Sequence, residues 1–441
     1  MARRGAERDA DIEEEGRTCA AFLAGIRGAK DRSPQGAGVL CVKIAPIPSS
    51  RGTPRDELVQ TFCNNSDELH VAQAVTLARQ SIGLSDPNPR VGCVLTDVAG
   101  QVIGQGHTQQ AGGPHAEVMA LRDAQARGHR TRGATAYVAL EPCSHHGRTP
   151  PCAEALVRAE VARVVVVLMD PNPLVAGQGV ALLRSAGIVV DVLPADHPQA
   201  VAMRELNIGF LSRMVRHRPW VRMKIAASLD GRTALDNGDS QWITAPPARA
   251  DGQVWRARAG AVLTGIGTAI DDDPRLDVRS IEVARQPLRA VLDSRWCLPP
   301  SARLLAPPGD VLVYGLADES GEAQAARLAL SAKGASVAML PADVSGHHLD
   351  LGAVLADLTA RGINELHVEA GARLNAALIE GDWVDEYLLY LAPKLVGPGR
   401  GLAALSPLSR MADARTLTFH AVEQVGEDLR ILARPAGRAD F

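Results

Sequence analysis

His115 and Glu117 stand one residue apart, and Cys143 and Cys152 follow, with Cys143 placed 26 residues after Glu117. One neutral imidazole and two thiolates balance the charge of a Zn2+ ion and leave a fourth position open for water. Such a metal makes hydroxide available near neutral pH. A carboxylate kept off the metal, Glu117, can then carry the proton to a substrate ring nitrogen and to a departing amine. The competing structural reading, two small buried cysteines and a packing histidine, has to explain four residues and two helix starts together.

The elements that must position these groups are legible. Pro114 precedes Ala116 to Arg122, which combines strong helix formers with apolar residues at helical intervals. His115 and Glu117 therefore fall at a helix start, about 200° apart around the axis, so only one of them is the natural ligand. Ala134 to Leu140 reads as a buried strand that delivers Cys143 at its end, and Cys152 opens the next apolar helix. The order H-x-E, then P-C and a second cysteine, is the layout of the zinc deaminases.

The chain has 441 residues, enough for two or three domains with full-size cores. Aromatic residues make up only 3%, so those cores must be rich in Ala, Val and Leu. A net charge of −3 gives no argument for nucleic acid or an acidic membrane surface. No apolar run approaches the ~18 residues of a membrane span. Beyond the two metal candidates, Cys19, Cys41, Cys63, Cys93 and Cys297 show no disulfide rhythm, which fits a reducing cytoplasm.

Residues 1–64 mix Gly, Pro, Ser and charges without periodicity and read as a disordered extension. From 65 to 215 the pattern alternates: a helix from Leu69 to Gln80, a strand pair near Val91–Thr96 and Val102–Gly106, the cysteine strand, and strands Val161–Met169 and Ile188–Leu193. Glu205 to Met214 looks helical and is expected to pack back on this domain. A second module spans 216–437, with strands expected at Val221–Ala226, Ala261–Thr264, Arg289–Leu292, Val311–Tyr314, Ser336–Leu340, Glu365–Glu369 and Glu386–Leu391. Helices Ala248–Ala257, Ala323–Ala332, Leu351–Ala360 and Leu374–Ile379 lie between them, so both modules are α/β.

Further strings make the chain recognisable. They are Asp86-Pro87-Asn88-Pro89-Arg90, the loop Ser144-His145-His146-Gly147-Arg148-Thr149-Pro150-Pro151 between the cysteines, Lys224-Ile225-Ala226-Ala227-Ser228-Leu229-Asp230-Gly231, Ser240-Gln241-Trp242, Asp272-Asp273-Pro274 and Val368-Glu369-Ala370-Gly371. With them the chain resembles the bifunctional deaminase–reductases of riboflavin biosynthesis, the RibD type, over residues 66–437. The eight residues between Cys143 and Cys152 depart from the usual two of the deaminase superfamily, and their content makes the match specific.

The resemblance implies a cytidine-deaminase-like zinc domain followed by a dihydrofolate-reductase-like domain. The first would hydrolytically deaminate a phosphorylated diaminopyrimidine, and the second would use NADPH to reduce its ribosyl side chain. His115, Cys143 and Cys152 would be the zinc ligands and Glu117 the proton shuttle. Asn88, Arg148 and Asn172 match positions that hold the pyrimidine and its ribose phosphate. Ser240, Arg256, Leu276, Arg279 and Glu369 would surround the reductase substrate together with Lys224.

For the cofactor, Gly371 ends a strand and opens a helix whose free N–H groups suit a pyrophosphate. With the family strings this favours NADPH contacts at Ala226, Trp242, Thr268, Asp272, Ser294, Gly371, Ala372, Arg373, Leu374, Asn375, Ala376 and Ala377. Lys224 lies inside an apolar strand, where an ammonium is costly unless paired, so it should face the cleft and pair with Asp272 or Glu369. A small-molecule enzyme is expected, a homo-oligomer, cytoplasmic, without nucleic-acid or membrane partners. Two other readings remain: a nucleoside or tRNA-base deaminase with an accessory C-terminal domain, and a zinc-stabilised scaffold with an inert second half.

Overall fold

A computed structural model describes residues 65–145, 150–172 and 175–441. The expected extension at 1–64 and Arg148 lie outside the described residues. Two sheets organise the chain, one on each side of residues 216–220.

The first sheet holds β1 (Gly92–Thr96), β2 (Val102–His107), β3 (Thr135–Val138), β4 (Arg163–Val166) and β5 (Val189–Val192), in the order β2-β1-β3-β4-β5. β1 runs antiparallel to β2 and β3, whereas β3, β4 and β5 are parallel. Around it lie α1 (Asn65–Arg79), α2 (Ala116–Ala126), α3 (Cys152–Arg158), α4 (Gln178–Ser185), α5 (Pro198–Leu206) and α6 (Ile208–Arg216). The core is built from Val, Leu and Ala, as an aromatic-poor composition requires. Gly104 and Gly106 allow α2 to sit hard against β2: a Cβ on either would lie within 2.5 Å of an α2 atom.

The helix expected over Glu205–Met214 is instead the junction of α5 and α6. Asn207 breaks the run with φ −103° and ψ 16°, and its side chain is spent on the backbone of Arg90 in both directions, at 2.7 and 2.9 Å. A hydrophobic pattern cannot register such a break, because the apolar face continues through it.

The second sheet contains β6 (Trp220–Ser228), β8 (Ala261–Gly265), β9 (Leu288–Leu292), β10 (Val311–Leu316), β11 (Ser336–Leu340), β12 (Glu365–Val368), β13 (Glu386–Ala392), β15 (Leu417–Val425) and β16 (Asp428–Pro435). Short strands β7 (Arg232–Leu235) and β14 (Gly399–Gly401) form a separate antiparallel pair. The nine strands run β11-β10-β9-β8-β12-β6-β13-β16-β15, parallel up to β13 and antiparallel beyond it. Helices α7 (Pro246–Arg258), α8 (Ile266–Asp271), α9 (Gly321–Ala332), α10 (Leu351–Ala360) and α11 (Ala372–Glu380) connect them.

β12 arrives late in the chain yet inserts between β6 and β8, so the strand order reverses there. Ligands of open α/β sheets bind at the carboxyl ends of strands beside such a reversal. Strands β7, β14, β15 and β16 go beyond the sequence expectations. β15 is exposed along most of its length, so it carries no burial alternation to read. Among the described residues no helix is long and apolar enough to cross a membrane.

Candidate active sites

His115 caps α2 in an extended conformation, and Glu117 lies one residue into that helix, buried. Cys152 is the first residue of α3, and its backbone N–H donates to Cys143 Sγ at 3.3 Å. The Nδ1 atom of His115 lies 3.7 Å from Cys143 Sγ and 3.4 Å from Cys152 Sγ. Zinc bonds of about 2.3 Å to sulfur and about 2.0 Å to nitrogen, set tetrahedrally, imply S···N separations near ~3.5 Å. All three donor atoms lie within 4.8 Å of one another, so the residues fit the ion.

The electrostatics agree. The Cys143 thiol is pushed down by a hydrogen bond from Cys152 and by His115, while Cys152 is pushed up by its hydrogen bond to Cys143 and by burial. Two thiols sharing one proton would lose it to solvent when a dication binds the sulfurs. Burial and then the Cys143 charge push the Glu117 carboxyl up to about 7.

The sequence expectations missed Glu141. Its carboxylate accepts from the backbone N–H of Gly177 at 2.9 Å and of Val180 at 3.2 Å. It thereby ties the segment leading to Cys143 to the loop that carries Asn172. A Cβ on Gly179 would stand 1.9 Å from Pro142 O, so the two segments touch backbone to backbone. An acidic residue at the end of an apolar strand was the available signal. Asp170, whose Oδ1 accepts from the Asn172 N–H at 2.8 Å, is pushed up to about 7, by burial first.

In the second half the named residues gather where β9, β8, β12 and β6 end. Ser294 follows β9, Thr268 lies on α8 after β8, Gly371 follows β12, and Lys224 and Ala226 lie along β6. A Cβ on Gly371 would be 3.3 Å from Thr268 Oγ1, so the β8 and β12 loops meet. Gly371 is exposed at the N-cap of α11, leaving its first N–H groups accessible to an anion. Within α11, Arg373 and Ala377 are exposed, and Ala372 and Leu374 are half-buried. Asn375 and Ala376 are on the buried face, and the Asn375 amide donates to Leu402 O at 2.8 Å.

Arg256 grips Glu369 with both arms of its guanidinium, Nη2 to Oε2 at 2.9 Å and Nε to Oε1. Its Nη1 donates to Asp277 O at 2.9 Å, which brings in the loop of Leu276 and Arg279. Lys224 does not pair as expected. No ion pair to Asp272 or Glu369 is found, because Arg256 already occupies the Glu369 carboxylate in a bidentate fork. The Lys224 ammonium lies 5.9 Å from the centre of the Tyr390 ring. Burial pushes its pKa down, Glu369 opposes that, and Arg256 adds to it. Asp272 is exposed, and Ser240 is half-buried. Trp242 is also exposed, under the guanidinium of Arg249 at 4.4 Å, and its carbonyl accepts from Lys394 Nζ at 2.8 Å.

Residues 64–168 match the cytidine and deoxycytidylate deaminase zinc-binding region, and residues 219–431 match the RibD C-terminal domain. The riboflavin biosynthesis protein RibD of Escherichia coli is 43% identical over 377 residues, covering 82% of this chain and 98% of that protein. The chain belongs to the RibD family. The Haemophilus influenzae RibD is 39% identical over 85% of this chain and 99% of its own length. Among solved structures, Acinetobacter baumannii RibD superposes with a TM-score of 0.75 at 41% identity, covering 84% of this chain and 99% of that one. A structure from Thermotoga maritima, described as a diaminohydroxyphosphoribosylaminopyrimidine deaminase/5-amino-6-(5-phosphoribosylamino)uracil reductase, gives a TM-score of 0.73 at 30% identity, over 84% of this chain and 99% of that one. As a RibD-family chain it is a deaminase and a reductase of riboflavin biosynthesis, with a zinc-binding deaminase domain followed by a reductase domain.

Proposed function

We propose that the half at 65–215 deaminates 2,5-diamino-6-(5-phosphoribosylamino)pyrimidin-4(3H)-one and that the half at 216–437 reduces the resulting uracil with NADPH. The convergence of His115, Cys143 and Cys152 beside a buried Glu117 carries the first part of this reading. In it the three residues hold zinc, which supplies the Lewis acidity that makes hydroxide available near neutral pH. Glu117, buried beside the three ligands, is placed to accept a proton and return it. It passes a first proton, taken from the attacking water, to the ring nitrogen, and a second, taken from the hydroxyl formed on the ring carbon, to the amino group as the C–N bond breaks and ammonia leaves. Asn88, Arg148 and Asn172 hold the pyrimidine and its ribose phosphate.

In the second half, NADPH supplies the hydride. The N-terminal turn of α11 after Gly371 suits its pyrophosphate, with Ala226, Trp242, Thr268, Asp272 and Ser294 as further contacts. Arg256, held by Glu369, and Arg279 present fixed positive charge to the substrate phosphate, with Lys224, Ser240 and Leu276 beside them. We read the protein as a cytoplasmic homo-oligomer acting on small molecules without nucleic-acid partners. Supplying the diaminopyrimidine phosphate and following ammonia and NADPH absorbance in one cuvette tests both steps. Ammonia without NADPH oxidation would remove the second half of the reading, and no ammonia would remove the first.

A further inference from the structure

Asn88 sits in the loop that enters β1, and β1 pairs with β3, Cys93 opposite Val138. The Ala139 N–H donates to Gly92 O at 2.9 Å, so this loop leaves the sheet where β3 runs on toward Cys143. The Thr108 N–H donates to Val91 O at 3.0 Å, joining the loop to the segment that leads to His115.

The loop is held from both halves of the chain: Ser85 bonds Asn88 within the loop, Asn207 bonds Arg90, and the second half contributes Asn364. Asn364, the residue before β12, is buried and donates from Nδ2 to Asp86 Oδ1 at 2.9 Å and to Pro87 O at 3.2 Å. Its Oδ1 accepts from Arg213 Nε at 2.6 Å, and Arg213 Nη2 donates to the same Pro87 carbonyl at 2.9 Å. A Cβ on Gly362 would stand 3.0 Å from Pro87 Cβ, so there is no slack on that side. Asn364 lies at the amino end of β12, whereas Glu369 and the reductase residues gather past its carboxyl end. The reductase chemistry therefore gives no account of this buried amide.

We infer that Asn364 is a positioning residue for the deamination: it holds Asp86 and Pro87 so that Asn88 meets the pyrimidine, and the reductase half thereby completes the deaminase substrate site. The inference rests on the reading of Asn88 as a substrate contact. Losing the buried hydrogen bonds of this amide behind that contact should weaken substrate binding about tenfold or more.

The test uses the full chain. N364A should raise KM for the diaminopyrimidine phosphate about tenfold, with kcat within about twofold, zinc content unchanged and NADPH oxidation of pre-deaminated substrate unchanged. N88A should raise KM at least as much, and N88A/N364A should be no worse than N88A, because both act through one contact. If N88A leaves KM unchanged, the substrate reading of Asn88 fails. If N88A raises KM and N364A does not, the positioning role alone fails. Should N364A lose both activities by misfolding, D86A breaks the same hydrogen bond from the deaminase side while D86N keeps an Oδ1 acceptor. D86A should then raise KM and D86N restore it, and a D86A enzyme with unaltered KM overturns the inference.

Discussion

Arg90 and Glu365, 275 residues apart in the chain, meet through a buried hydrogen bond from Nη1 to Oε1 of 2.7 Å. Glu365 Oε2 also accepts from Arg222 Nη1 and Arg258 Nε, each at 2.7 Å. Burial alone would raise this carboxyl, but Arg258, Arg90 and Arg222 together hold it well below the usual carboxylate range. One carboxylate thus ties the loop of Asn88 to α7 and β6 of the other half.

E365Q should therefore be strongly destabilising. It removes the carboxylate that Arg258 pairs with and leaves Arg222 and Arg90 to Glu386 and Asp86 alone, and breaking a buried pair costs on the order of 3–5 kcal/mol. Thermal melting of the full chain measures it. A melting temperature within a degree of the unaltered protein would show that the cluster adds nothing to folding.

The pH dependence has a definite sign. A carboxyl whose folded pKa is depressed contributes stability that is fully present above its unfolded value, about 4.5, and is lost as pH falls toward the folded value. The melting-temperature gap between E365Q and the unaltered chain should be constant from about pH 6 to 8 and shrink only below about 4.5. A gap that shrinks between pH 6 and 7 would contradict the depressed carboxyl.

Much of the candidate zinc site was legible because its residues are close in sequence and sit at element ends. Two helix starts and one strand end can be read from local pattern alone. The contacts between the halves were not legible, since no local pattern links Arg90 to Glu365 or Asn364 to Asp86. In β12 the charged Glu365 at the head of an apolar strand was the visible clue, but its partners come from β6, α7 and the loop before β1. Lys224 illustrates the reverse error: a buried ammonium does demand a counter-charge, yet Arg256 outcompetes it for Glu369 with a planar two-bond fork.

Glu141 should matter to deamination without touching the metal. E141A would leave the N–H groups of Gly177 and Val180 unpaired, each costing about 1–3 kcal/mol if buried, and would loosen the approach to Cys143. Ammonia release should fall about tenfold or more, and NADPH oxidation of pre-deaminated substrate should not change. Equal losses in both activities would instead indicate general unfolding.

A Glu117 variant should separate metal binding from proton transfer. E117Q keeps the shape and leaves His115, Cys143 and Cys152 in place, so zinc content should stay full while ammonia release falls by roughly 10²–10⁴-fold. C143S or C152S should lose zinc and deamination together and leave the reductase assay intact. If E117Q releases ammonia at the unaltered rate, Glu117 is not the proton shuttle.

Arg256 should be the sharpest probe of the second half. Its fork on Glu369 fixes the guanidinium, and its third bond, to the Asp277 carbonyl, fixes the loop of Leu276 and Arg279. R256K keeps the charge but cannot make the fork and the third bond at once, so it is not a conservative change. It should cost the reductase kcat/KM about 10–100-fold, roughly 1.4–2.7 kcal/mol, while ammonia release stays unchanged. R256A should do worse, because Glu369 would then be left with Lys224 as its remaining cationic neighbour. An R256K enzyme with full reductase activity would reduce Arg256 to a structural ion pair and move the phosphate site elsewhere.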